Sequence, residues 1–240
     1  MKKIDIVTTA TIRPEILDQT YRSFCENLFK NKEDYRLIIN IDPVGNKNKN
    51  AEDVLNVAKK YFDDVVYNVP ESSSFTKAVM WCWSQVENDY VFHLEDDWAL
   101  KQEVKMSDIV YILDSYEKIC SVRLSKGNIY GGNKRLFKPQ PCEYIKHCDR
   151  GKFMLFPRIS LNPTLFRKKF IKGAVDLMFC NRNPESQLVY GFVGSEEIDN
   201  LLSIWDHSVY LDNKIMVTDL GRTWRSKMGI KRKSDFVKWG

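Results

Sequence analysis

The sequence predicts an α/β fold, a mainly parallel sheet sandwiched by helices, and three observations predict it. Strand-like apolar runs alternate with segments of helical periodicity through residues 1–98, in the order β-α-β-α-β-α-β. The connections are short, with no linker, internal repeat or low-complexity segment before Trp98. The fourth strand then runs directly into three consecutive carboxylates, Glu95, Asp96 and Asp97. Open α/β sheets bind their ligands at that carboxyl end.

Each element has its own signal. Residues 4–9 read as a buried strand, and Pro14 is suited to the first turn of a helix. Leu17, Tyr21, Phe24 and Leu28 recur at four-three-four spacing, which gives that helix one apolar face. A second strand over 36–41 ends at Asp42-Pro43, where the missing N–H of proline stops the pairing. After a polar loop over 44–50, Ala51, Val54, Leu55, Ala58 and Phe62 mark another helix. A third strand over 64–69 closes at Pro70, and one of Ser72, Ser73 and Ser74 caps a helix carrying Phe75, Val79, Trp83 and Val86. Beyond Trp98 the pattern loosens. A helix is expected over 104–119, a short strand over 121–125, a long loop over 126–151 rich in Gly, Lys and Pro, a strand over 153–161 and a short helix over 164–171. Tyr190 to Gly194 form a Gly-rich turn, Ser195 caps a helix with Glu196 and Glu197 in its first turn, and an apolar run over 215–217 ends at Thr218-Asp219.

Composition narrows the class. Hydrophobic residues make up 43% and charged residues 29% of the 240, which fits a water-soluble globular chain. The net charge of +5 favours anionic partners: a nucleotide, a nucleic acid or an acidic membrane surface. No apolar run is long enough to span a membrane, and the one after Lys3 is too short for a signal peptide core. None of the six cysteines pairs at C-x-x-C spacing, so reduced thiols in a cytoplasmic protein are expected. Cys142, His147 and Cys148 are a zinc candidate whose spacing matches no common module.

The chemistry concentrates at the strand ends. Thr8, Thr9, Thr11 and Arg13 follow the first strand, Asp42 the second, and Glu95, Asp96 and Asp97 the fourth. In a doubly wound sheet these ends share one crevice. Hydroxyls and backbone amides there suit a nucleotide, and Asp42 is placed to accept a hydrogen bond from a base or ribose. Adjacent carboxylates repel unless a cation shares their site, and oxygen donors suit Mg²⁺ or Mn²⁺. His93 reads as a core histidine. Trp81, Trp83 and Trp98 lie near the site, with stacking on a sugar and core packing as alternatives. The phosphate loop G-x-x-x-x-G-K-[ST], the G-x-G-x-x-G fingerprint and the G-x-S-x-G elbow are all missing.

The opening Ile6-Val7-Thr8-Thr9-Ala10-Thr11-Ile12-Arg13-Pro14, the strand end at Asp42 and the run His93-Leu94-Glu95-Asp96-Asp97-Trp98 together resemble the GT-A glycosyltransferases, closest to the inverting family 2. The resemblance implies one GT-A domain over 1–240, with a nucleotide-binding half at 1–98 and an acceptor half with a closing tail at 99–240. It implies transfer of a sugar from a nucleoside-diphosphate donor, UDP by family weight, to an acceptor hydroxyl, with Mn²⁺ or Mg²⁺ as cofactor. Asp97 is then the metal ligand, supported by Glu95 and Asp96, while Thr8, Thr9, Thr11, Arg13 and Asp42 surround the nucleotide. The patch Gly194 to Asp199 resembles the family's acidic motif under the acceptor site, with Glu197 ahead of Glu196 as general base. The patch Asp219 to Lys227 resembles the loop that closes over the diphosphate, with Arg222, Arg225 and Lys227 as phosphate contacts. The family's late metal-binding His has no counterpart after His207, leaving Asp219 or Ser226 as replacements.

Two acceptor classes stay open. A saccharide or lipid-linked acceptor is the family's default. The basic tail at 231–239, interleaved with Phe236 and Trp239, keeps a nucleic acid in view, as in small stand-alone phage enzymes that glycosylate a modified DNA base. A non-catalytic module of the same fold and a nucleotidyltransferase are the competing classes.

Overall fold

The computed structural model describes residues 3–126, 145–148, 151–155, 159–211 and 215–227, with the backbone alone for 145–148, 151–155 and residue 211. The elements follow in chain order: β1 (Ile4–Ile12), α1 (Pro14–Asn27), a 3₁₀ turn (Lys32–Asp34), β2 (Tyr35–Gly45), α2 (Ala51–Tyr61), β3 (Val65–Asn68), α3 (Phe75–Ser84), β4 (Tyr90–His93), β5 (Trp98–Leu100), α4 (Met106–Ser115) and β6 (Ile119–Leu124). The second half continues with β7 (Ile145–Cys148), β8 (Gly151–Leu155), β9 (Thr164–Arg167), α5 (Lys168–Leu177), α6 (Pro184–Gln187), α7 (Glu196–Ser203), β10 (Asp206–Leu211), β11 (Val217–Asp219) and α8 (Gly221–Lys227).

Nine strands form one sheet in the order β3-β2-β1-β4-β9-β6-β10-β8-β7. Only β9 and β8 run against the others. The first four strands make the expected parallel β-α unit, because each crossover helix carries the chain back to the end of the sheet where the strands begin, with β2 and β4 on opposite sides of β1. Their apolar runs are continuous because helices cover both faces. Ile4, Ile6, Leu37, Ile39, Tyr90 and Phe92 pack on one side with Leu17, Tyr21 and Phe24 of α1 and Val54, Leu55 and Ala58 of α2. The alternate positions Val7, Ile38 and Val91 pack on the other side with Val79 and Trp83 of α3 and Phe170 of α5. Each such aliphatic or aromatic side chain contributes about 1.5–3 kcal/mol by leaving water.

Five expectations are corrected. β2 does not stop at Pro43. Thr11 pairs with Asp42 and Ile12 with Gly45, so a bulge lets Pro43 and Val44 pass without donating to the ladder. Gly45 is fixed by this bulge: its φ is 141°, and a Cβ there would lie 2.3 Å from the Ile12 carbonyl oxygen. Thr164–Arg167 is a strand, and helix begins only at Lys168. Its antiparallel pairing to both β4 and β6 overrides local propensity. The stretch expected as a loop over 126–151 contains β7, and the strand expected over 153–161 is β8, ending at Leu155. Ile119, expected to end a helix, opens β6.

The small sheet of β5 and β11 matters most for function. Trp98 pairs with Asp219 in an antiparallel register. That pairing carries the chain's last described segment back to the carboxylates that follow β4.

Candidate active site

Asp96 sits at the centre of the crevice, 1% exposed, and is held by the strand next to it. Its backbone N–H donates to the Thr9 carbonyl (3.3 Å), and its Oδ2 accepts from the Thr11 backbone N–H (2.9 Å), Thr11 Oγ1 (3.3 Å) and Arg13 Nε (2.8 Å). Arg13 Nη2 completes a fork on Asp96 Oδ1 and also donates to Asp97 Oδ2 at 3.0 Å. Thr20 of α1 donates to the Asp96 carbonyl (2.8 Å). Thr9, Thr11 and Arg13, expected around the nucleotide, are thus gathered on Asp96, and Thr8 is fully buried.

Arg13 is itself 3% exposed. Burial alone would lower its proton affinity, but Asp96 and Asp97 more than reverse this and hold it above its already high value. The fork matches a carboxylate's two oxygens, a geometry that lysine cannot reproduce. The indole of Trp224 lies 5.5 Å from the Arg13 guanidinium carbon.

The segment after β11 closes over Asp97. Leu220 N–H donates to the Asp97 carbonyl (2.7 Å), and Arg225 Nη1 lies 3.4 Å from Asp97 Oδ2. Gly221 packs so closely that a Cβ there would fall 1.9 Å from Asp97 Oδ2. Asp219 accepts from the Arg222 backbone N–H (3.0 Å) and lies 3.8 Å from Lys126 Nζ, which sits 4.5 Å over the Trp98 ring. Of the three expected phosphate contacts, Arg225 reaches the cluster, while Arg222 and Lys227 are exposed on α8.

Excess negative charge marks the site. Burial first, then the charge of Asp97 and of Glu185, pushes Glu95 well above the usual carboxylate range; a hydrogen bond from Trp98 Nε1 (3.0 Å) opposes them. Asp97 is raised by burial and by Asp96 and Asp219, against Arg13 and Arg225. Repulsion of this kind is what a cation relieves. The donors of Glu95, Asp97 and Asp219 are hard carboxylate oxygens, so they fit Mg²⁺ or Mn²⁺ in kind. Among the described residues no group of three or more His, Cys, Asp or Glu side chains forms a ready metal cage. Mg²⁺ does not require one, since it usually takes one or two carboxylates and fills its shell with water and phosphate.

Asp42 anchors a second polar cluster at the ends of β2 and β3. Asn68 donates to Asn40 (2.7 Å), Asn40 to Asp42 Oδ1 (2.9 Å), and the Ser74 backbone N–H to Asp42 Oδ2 (3.0 Å). Burial raises Asp42 to about 6, with the two hydrogen bonds opposing and Asp96 reinforcing.

Glu196 and Glu197 lie exposed in the first turn of α7, where Ser195 caps the helix. A hydrogen bond with Ser195 lowers Glu197. Sequence reasoning missed Glu185, whose charge also reaches Glu95, and Lys126, while Gly221 and Trp224 lie in the patch 219–227 that it singled out, without roles of their own. Only the Asn183-Pro184 helix start signalled that a rigid turn lay at Glu185.

His93 is buried, receives a hydrogen bond from Trp83 Nε1 (3.2 Å) on Nδ1, and is pushed down to about 3 by burial, which fits the core role. Trp83 is fully buried and Trp98 nearly so. Cys25, Cys82, Cys120 and Cys180 are free thiols. The side chains of Cys142, His147 and Cys148 and the basic tail at 231–239 lie outside the described residues. Among the described residues, no helix is long and apolar enough to cross a membrane.

No family model and no curated protein sequence matches the chain. Solved structures do. S. aureus TarS aligns over 90% of the chain at 13% identity and a TM-score of 0.54. TarS 1–349 in complex with UDP and with UDP-GlcNAc aligns over the same share at 14% and 15% identity, again with a TM-score of 0.54. The chain spans 36% of the length of TarS and 57–59% of the 1–349 fragment. A mannosyltransferase from Pyrobaculum calidifontis aligns over 52% of the chain at a TM-score of 0.44, a likeness too loose to bear on the site. The architecture is therefore that of the GT-A glycosyltransferases, as the opening and acidic motifs led one to expect.

Proposed function

We propose that this chain is a glycosyltransferase that moves a sugar from a nucleoside diphosphate, UDP in the first instance, to an acceptor hydroxyl. One observation carries the reading: Arg13, Asp96, Asp97 and Arg225 form a buried ionic cluster at the carboxyl end of β4, where this fold class binds its ligands. The likeness to a fold seen with UDP and UDP-GlcNAc supports the same choice of donor.

In this reading Asp42, raised to about 6 by burial, meets the base of the nucleotide, and the β1 end positions the ribose. Asp97, with Asp219, holds Mn²⁺ or Mg²⁺, which when bound offsets the charge of the diphosphate. Arg225 and Lys126 add fixed positive charge where the diphosphate departs. A carboxylate on the acceptor side takes the hydroxyl proton as the oxygen displaces the diphosphate, a single displacement that inverts the anomeric carbon. A saccharide or lipid-linked saccharide is the acceptor this reading favours. Calorimetric titration with UDP, with and without Mn²⁺, tests it. Binding that strengthens with metal supports it, and absence of binding opposes it.

A further inference from the structure

We infer that Glu185 is the acceptor-side carboxylate, the group that receives the proton when the attacking oxygen reaches the sugar. The inference rests on the reading of the cluster as a sugar-transfer centre.

Three observations place Glu185 there. First, β9 pairs with β4 so that Thr164 lies opposite His93, and the Leu124 N–H of β6 donates to the Pro163 carbonyl (2.9 Å). The segment 159–163 therefore enters the sheet between the carboxyl ends of β4 and β6, beside the residues that follow His93. Second, Glu185 is tied to that segment: its Oε1 accepts from Ser160 Oγ (3.0 Å) and from the Leu161 backbone N–H (2.9 Å). Third, the Leu94 N–H donates to the Val7 carbonyl (2.9 Å), so Glu95 begins the carboxylate run directly beyond the end of β4, on the side where 159–163 enters the sheet.

Its support is rigid. Asn183 caps α6 through the Ser186 N–H (2.9 Å). The fully buried Gln187 accepts from the Phe179 N–H (2.7 Å) and donates to the carbonyls of Phe179 and Arg182 (3.0 Å each). Thr76 of α3 donates to the same Arg182 carbonyl (2.6 Å). Glu185 is only partly exposed and has Oε1 anchored by two donors, so in this assignment Oε2 is the oxygen that takes the proton. Glu196 and Glu197 are exposed on α7, and the nearest described partner of Glu197 is its own cap residue, Ser195.

The step balances without any further reactant. The acceptor O–H bond breaks and its proton goes to Glu185. The oxygen's electron pair forms the bond to the anomeric carbon, and the carbon–phosphate-oxygen bond breaks with its pair going to the diphosphate. With water as acceptor the products are UDP and the free sugar.

The test is release of UDP from UDP-GlcNAc, UDP-glucose and UDP-galactose in water, followed beside UDP affinity and melting temperature for the full chain. Glu185→Gln keeps an oxygen for Ser160 and Leu161 but cannot take a proton. It is expected to lower kcat about 10²–10⁴-fold with UDP affinity unchanged. Glu185→Asp, which retracts the carboxylate by one methylene, is expected to retain about a hundredth to a tenth of the wild-type rate, and carries the test should the Gln variant not fold. Glu196→Gln and Glu197→Gln, at the bases that the family resemblance implies, are measured in parallel and are each expected to lose less activity than Glu185→Gln. A Glu185→Gln rate close to wild type, the large loss falling instead on Glu196 or Glu197, or a wild type that binds UDP without hydrolysing any of the three donors would each overturn the assignment. Absence of UDP binding by the wild type would instead remove the glycosyltransferase reading beneath it.

Discussion

Replacing Gly221 by Ala separates two effects of opposite sign. In the first turn of α8, Ala is the better helix former by up to about 1 kcal/mol. Against this, the new Cβ would fall 1.9 Å from Asp97 Oδ2, 2.7 Å from Asp97 Cγ and 3.0 Å from Arg13 Nη1. Restoring an ordinary carbon–oxygen contact of about 3.3 Å requires a movement of about 1.4 Å. The Asp97 carboxylate cannot make that movement freely, because Arg13 and Arg225 both hold Oδ2 and its backbone carbonyl is bonded to Leu220. Overpacking costs about 1–3 kcal/mol, and full loss of a buried charge's partner about 3–5 kcal/mol. Partial loosening of the pair, less the helix gain, gives a net destabilisation of about 2–3 kcal/mol. For a chain of this size that lowers the melting temperature by about 4–12 °C. Differential scanning calorimetry of wild type and Gly221→Ala, with UDP affinity measured on both, reads the result. A melting temperature unchanged or raised would show that α8 does not press on Asp97, and the closed arrangement of this segment would be refuted.

Two further predictions concern pH. Asp42 titrates near 6 in the folded chain against 3.8 unfolded, so the folded state binds the proton more tightly and stability from this group falls as pH rises from about 4 to about 6. Asp42→Asn removes this pH dependence but keeps only one acceptor oxygen for the Asn40 and Ser74 donors, so its stability relative to wild type is expected to be about 2–3 kcal/mol more favourable at pH 7.5 than at pH 3.5, as urea unfolding at the two values will show. His93 and His207 are both buried and pushed down to about 3, so the unfolded chain takes up protons first as pH falls below 6.5. Between about 6.5 and 3 the two histidines contribute up to two protons to the slope of unfolding free energy against pH, opposed by Asp42 between about 4 and 6, and a folded His207→Asn variant is expected to lower the slope by about one proton against wild type.

The first half was legible because its signals are local. Ile4, Ile6, Leu37 and Ile39 alternate with Val7 and Ile38 in runs that only a doubly covered sheet needs, and Pro14 and the serine run ending at Ser74 mark helix starts where α1 and α3 begin. β9 was not legible. Four residues cannot declare a period, and Thr164–Arg167 becomes strand only through pairing with β4 and β6, which lie far away in sequence. The same division holds at the site. Glu95, Asp96 and Asp97 are contiguous and announce themselves. That Arg13 and Thr11 serve Asp96 depends on the β1–β4 pairing, and that Arg225 and Gly221 close on Asp97 depends on the Trp98–Asp219 pairing, which no local pattern encodes.

The most direct test of the central claim is titration calorimetry with UDP on wild type and Asp97→Asn, each with and without Mn²⁺. Asparagine keeps the size of Asp97 and one oxygen for Arg13, so the fold is retained while the charge is removed. The account predicts that wild type binds UDP, that Mn²⁺ tightens binding by at least about tenfold, about 1.4 kcal/mol, and that Asp97→Asn abolishes this increment while still binding UDP. Equal Mn²⁺ enhancement in both proteins would contradict the assignment of Asp97. No UDP binding by the wild type under either condition would contradict the account as a whole and leave a GT-A-like module that recognises something else.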